Sequence, residues 1–94
     1  MAEIDFKTAI KKACEFLADV YADEVLRDVR LEEIELSEDE SFWNITLGYR
    51  RHRAPPISVL ALAESVTGPP REYKVLAVRL RDGEVRSMKI RQPV

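Results

Sequence analysis

A lone imidazole, His52, lies among Arg50, Arg51 and Arg53, and these four side chains form the densest grouping of potentially reactive residues in the chain. A hydrolytic triad needs a nucleophile, a base and a group that orients the base. With one histidine in the sequence, the base would be His52. Three neighbouring guanidinium groups oppose formation of an imidazolium, so His52 reads as a loop histidine in a basic cluster. Cys14 is the only cysteine, which excludes an intramolecular disulfide and a multi-cysteine metal site within one chain. It falls at an apolar helical position, the setting of a buried structural thiol.

The acidic groups fare no better as ligands or acid/base pairs. Glu32, Glu33 and Glu35 alternate across a strand instead of converging, and no Cys or His pair has ligand spacing. Glu38, Asp39 and Glu40 belong to a solvated turn, whereas glycoside chemistry needs two carboxylates facing across a pocket. The three glycines, Gly48, Gly68 and Gly83, are too far apart to cradle a phosphate. The reading is of a chain without catalytic, cofactor or metal residues, and the expected activity is binding.

Two kinds of partner fit the remaining features. Protein contacts come first, through open sheet edges that can pair with a foreign strand or through an apolar crossover. Self-association as a homodimer by the same surfaces is equally compatible. The candidate contact residues are Arg50, Arg51, His52 and Arg53, with Ile57, Val59, Leu60 and Leu62 of the crossover. Nucleic acid is the second possibility: the same arginines, joined by Arg71, Arg79, Lys89 and Arg91 on an exposed sheet face, give a basic footprint, and Tyr73 offers a stacking surface. A net charge of −2 and the missing aromatic signatures of RNA-binding sheets place it behind the first.

These residues are carried by a short list of elements. Asp5 is placed to cap a helix over about 5–22, in which Phe6, Ala9, Ile10, Ala13, Leu17, Val20 and Tyr21 form one apolar stripe. The helix either continues to Glu24 or frays earlier. Val29, Leu31, Ile34 and Leu36 mark a strand over 28–36 whose alternation breaks at Glu32 and Glu33, the pattern of a bulge. A second strand, 41–50, alternates Trp43, Ile45, Leu47 and Tyr49 with Phe42, Asn44, Thr46 and Gly48. Prolines bracket a crossover over 51–70, whose middle fits either a helical turn or an irregular strand.

Strands over 71–81 and 84–91 then meet at Asp82-Gly83, a strong hairpin signal because Gly accepts positive φ without steric cost. A two-residue loop would set Arg79 opposite Arg86. A three-residue loop, Arg81, Asp82 and Gly83, avoids that like-charge pair. It places Leu76, Val78, Leu80, Met88 and Ile90 on the core side, and Tyr73, Val75, Ala77, Arg79, Val85, Ser87, Lys89 and Arg91 on the other.

The sum is one domain over 1–94 of α+β class, with one N-terminal helix packed on a four-stranded antiparallel sheet. Charged residues at 34 % and apolar ones at 46 % suit a folded globule. Acidic residues crowd 19–40 and basic ones follow Arg50, so the surface is expected to be dipolar. The start MAEIDFKTAIKK has no continuous apolar run, which points to the cytoplasm and away from a membrane.

The helix-first layout and the closing pattern YKVLAVRLRDGEVRSMKI resemble PepSY-type and cystatin-like small domains. Tyr73, Asp82-Gly83 and Glu84-Val85 match the tyrosine-led strand, acidic-Gly turn and Gly-Glu-Val entry of the PepSY pattern. The chain is also similar to small bacterial proteins without an assigned activity. The resemblance implies a cystatin-like α-β-β-β-β fold and a noncatalytic inhibitory or binding role. PepSY relatives often act outside the cytoplasm, and the absence of an export signal here argues against carrying that over.

Overall fold

The computed structural model describes residues 3–52 and 70–91. A helix, α1 (Phe6–Val20), precedes strands β1 (Val25–Leu36), β2 (Phe42–His52), β3 (Arg71–Arg79) and β4 (Val85–Ile90). All neighbouring strands are antiparallel, in the order β1-β2-β3-β4, and α1 packs on one face of the sheet. This is the α+β arrangement expected from the sequence. β2 extends through His52, so Arg51 and His52 are strand residues and not the start of a crossover.

Asp5 caps α1 as its position predicts: its Oδ1 accepts from the Thr8 amide at 2.8 Å, satisfying a first-turn donor that has no helical partner. Ala9, Ala13 and Leu17 face the sheet and are buried; the two alanines let the helix backbone come close. Phe6 and Val20, at the ends of the stripe, overhang the sheet and remain about half exposed at 48 % and 47 %. Opposite the helix, β2 contributes Ile45, Leu47 and Tyr49, and β3 contributes Leu76 and Val78, all fully buried. Among the described residues every buried side-chain polar atom has a hydrogen-bond partner.

The closing hairpin turns Leu76, Val78 and Leu80 toward the helix, as the preferred register requires, but its turn is one residue longer than expected. Arg79 N–H donates to Glu84 O at 2.9 Å and Gly83 N–H to Arg79 O at 2.8 Å, so the loop comprises Leu80, Arg81, Asp82 and Gly83. Gly83, at φ 76°, supplies the left-handed residue. Val78 therefore pairs with Val85, and Arg86 is the extra residue that restores the expected pairing of Leu76 with Met88. Val85 consequently joins the core side instead of the opposite face. Ile90 shares that side but lies beyond the helix, and is 72 % exposed.

The turn is tied by charge: the Arg79 guanidinium donates to Asp82 at 3.0 and 2.6 Å and to Glu84 at 2.6 Å. Arg79 first, and the Glu84 amide second, hold the Asp82 carboxyl well below the usual carboxylate range. A carboxylate shifted down on folding stabilises the fold above its unfolded value and loses that contribution as pH falls through the folded one. Asp82→Asn is therefore expected to lower the melting temperature at neutral pH. The gap to the unaltered protein should close as pH drops below about 4, the unfolded carboxylate value, when thermal melts are followed by circular dichroism. In the core, Leu76→Ala is expected to cost about 2–5 kcal/mol in denaturant titration, because Leu76 is fully buried between helix and sheet.

Candidate protein-interaction edge

Ion pairs disperse the basic cluster. Arg50 lies on the open face of the sheet, 3.6 Å from Asp28. Arg51 points the other way, to Glu72 at 3.2 Å and Glu24 at 3.4 Å, with its guanidinium 4.6 Å above the Tyr21 ring. Adjacent strand residues face opposite sides, so the run cannot present a single basic patch. Arg53, Ile57, Val59, Leu60 and Leu62 lie outside the described residues, as does the side chain of His52.

Around Arg51 the side chains interlock. Tyr49 is fully buried, donates its hydroxyl to Glu72 Oε1 at 3.3 Å and packs against Tyr21 with ring centroids 5.9 Å apart. Burial, then the neighbouring Tyr21, pushes the Tyr49 phenol far above its ordinary value. Cys14 is partly buried on α1, and burial followed by the Glu15 charge pushes its thiol up. Both shifts favour the protonated, unreactive form.

The open face of the sheet is crossed by two ion pairs that run over β2. Arg71 reaches Glu32 at 3.2 Å above Gly48, and Arg91 reaches Glu33 at 3.1 Å while also donating to Thr46 Oγ1 at 3.1 Å. A Cβ at Gly48 would stand 2.7 Å from Glu32 Oε1, so a glycine there leaves room for the first bridge. Thr46 is only 3 % exposed although it faces away from the helix. The depression beside it, about 270 Å³ and lined by Glu33, Glu35, Asn44, Thr46, Val75 and Arg91, is wide open to solvent.

β1 is the element the helix leaves uncovered. It is an edge strand of 12 residues, and α1 lies over β2, β3 and β4 while scarcely meeting it. Leu26, Leu31 and Leu36 pair with Arg51, Leu47 and Trp43, which places all three on the helix side of the sheet. Their spacing of five is possible because each interval holds one bulge: Asp28 and Val29 opposite Tyr49, then Glu32 as the extra residue between the Leu31–Leu47 and Glu33–Thr46 pairs. Asp28 takes a positive φ of 52° in the first bulge. Leu31 is 44 % exposed and Val29, which shares its side by alternation about Arg30, is 42 % exposed.

Among the described residues no strand pairs with the outer edge of β1, whose backbone donors and acceptors form a template for a further strand. β1 contains no proline, lysine or glycine, and its two bulges set the levels at which a further strand must also deviate. The opposite edge, β4, is blunted: it is six residues long and carries Lys89. Val29 and Leu31 were not among the contact residues expected from the sequence, where their alternation reads as a core strand. The discriminating signal is the single narrow stripe of α1, too small to cover four strands.

No described helix is long and apolar enough to cross a membrane, and no described group of three or more His, Cys, Asp or Glu side chains could hold a metal ion. Compared with protein-family models, curated proteins and solved structures, the chain matches none.

The edge geometry has a direct readout. Amide exchange by mass spectrometry should show β1 exchanging well ahead of Ile45 to Tyr49 on β2, whose backbone is bonded on both sides. Equal protection in the two strands would mean that the β1 edge is covered.

Proposed function

We propose that this protein is a noncatalytic binding or inhibitory module of the cytoplasm, and that it engages a protein partner by strand addition along β1. The observation that carries the reading is the combination at this edge of an unpaired backbone with Val29 and Leu31 more than two-fifths exposed on the side the helix leaves bare. Strand addition uses both features: main-chain hydrogen bonds supply affinity, and alternate side chains supply specificity. The likeness of the closing hairpin to PepSY and cystatin-like domains, whose members are mostly noncatalytic binders or inhibitors, agrees with it. Further support comes from the space between helix and sheet, which is occupied by Ala9, Ala13, Leu17, Ile45, Leu47 and Leu76, each at most 1 % exposed.

The test compares tagged wild-type protein with the double variant Val29→Lys, Leu31→Lys as baits in native lysate, with Ile90→Lys on the far edge as control. Both β1 positions are partly exposed, so the variant should retain the wild-type circular dichroism. A partner retained by wild type and by the Ile90→Lys control but lost from the β1 variant is the expected result. Equal capture by all three would remove β1 from the function, and turnover in a substrate screen abolished by a point substitution would replace binding with catalysis.

A further inference from the structure

We infer that the strand added to β1 is β1 of a second copy of this chain, running antiparallel about a two-fold axis at Leu31; the inference rests on the edge reading above and names its partner. The charges along β1 are segregated. Arg27 and Arg30 outnumber Asp28 in its first half, and Glu32, Glu33 and Glu35 occupy its second. An antiparallel copy reverses that order, so each positive half meets a negative half. With Leu31 opposite Leu31, Arg27 falls opposite Glu35 of the second copy, Arg30 opposite Glu32, and Leu26 opposite Leu36.

This register also matches faces. Leu26, Leu31 and Leu36 are all on the helix side, whereas Arg27, Arg30 and Glu35 pair with Arg50, Gly48 and Asn44 on the open side. A one-residue slip would set Arg27 against Ile34 and Leu26 against Glu35, crossing apolar with charged positions. The bulges at Asp28–Val29 and at Glu32 lie on either side of the axis, so one-to-one pairing holds at Leu26, Arg27, Arg30 and Leu31 and is interrupted at Asp28 and Val29.

Unused charge supplies an independent argument. Asp28, Glu32 and Glu33 are held by Arg50, Arg71 and Arg91 of their own sheet. Arg27, Arg30 and Glu35 have no side-chain partner among the described residues. The proposed register pairs Arg27 with Glu35 of the second copy and sets Arg30 beside the Glu32–Arg71 pair, and an isologous interface makes each contact twice. The mixed charge of β1 repels a parallel copy and attracts an antiparallel one. Completed, the assembly is a continuous eight-stranded sheet with two helices on one face, its ends being the two blunted β4 edges.

The experiment is sedimentation equilibrium at low salt on the full chain, with the single variants Arg27→Glu and Glu35→Arg and an equimolar mixture of the two. Wild type should move from 10.8 kDa toward twice that mass as concentration rises. Each single variant places two like-charge contacts in the dimer and should weaken association by about tenfold. The mixture should recover wild-type association, because each variant complements the other. Neither substitution removes a partner of an ion pair within the described chain, and circular dichroism matching wild type is the check that both variants fold. A wild type that stays at the monomer mass throughout would overturn the self-pairing, and the lysate comparison would then still decide whether a foreign strand uses the edge. A dimer indifferent to both variants, or a mixture no tighter than its components, would overturn the β1 register and place self-association on another surface.

Discussion

A helix with its side chains is about 10–12 Å wide, whereas four strands spaced about 4.8 Å apart present a face of roughly 19 Å. One helix cannot cover such a sheet, and this mismatch governs the structure. α1 seats its buried stripe of Ala9, Ala13 and Leu17 over β2 and β3 and reaches β4, which leaves β1 outside the covered area. The deepest burial follows accordingly, with Ile45, Leu47, Tyr49, Leu76 and Val78 at 0 % exposure on the two central strands. The side chains of β1 are partly buried only where they lean on β2, as Leu26 and Ile34 do.

The open face answers the same mismatch with charge. No second layer covers it among the described residues; Arg71 and Arg91 reach across β2 to Glu32 and Glu33 and shield Gly48 and Thr46. Glu32 and Glu33 both face that side because the bulge between them interrupts the alternation. Exposed pairs of this kind contribute little individually. Their placement nonetheless ties the edge strand to β3 and to the residue following β4, so β1 is anchored through its polar side while its apolar side stays bare. An interaction strand benefits from that division, since pre-ordering the backbone reduces the entropy lost when a partner strand docks.

Local chemistry made much of the fold legible. Asp82-Gly83 locates the last hairpin, the capping position of Asp5 starts the helix, and the doubled glutamate announces a bulge, because each signal depends on a few adjacent residues. What escaped reading depends on residues whose effect is tertiary. Leu80 is drawn into the end of the core, where its amide donates to Ser41 O at 2.9 Å, and that lengthens the turn by one and brings Val85 inward. Asp28 adopts a left-handed conformation that usually advertises itself with glycine, so the first bulge and the true start of β1 at Val25 were hidden. The arginine run looked like one site because sequence adjacency resembles spatial adjacency, yet strand geometry sends Arg50 and Arg51 to opposite faces, each to its own carboxylate. The bare edge could not be read from β1 alone, since a half-covered strand and a buried one share the same alternation.

The segment before α1 docks on the turn between β3 and β4. Ile4 donates its amide to Leu80 O at 2.9 Å, accepts from Trp43 Nε1 at 3.3 Å and lies beneath Gly83. Residues just before the helix thus find their seat on a hairpin far along the sequence. A 15-residue helix alone is marginal in water, so α1 depends for its persistence on strands distant from it in sequence. Loop closure over so long a separation must be met before helix and hairpin reward each other, so a chain arranged in this way folds more slowly than a helical bundle of its size.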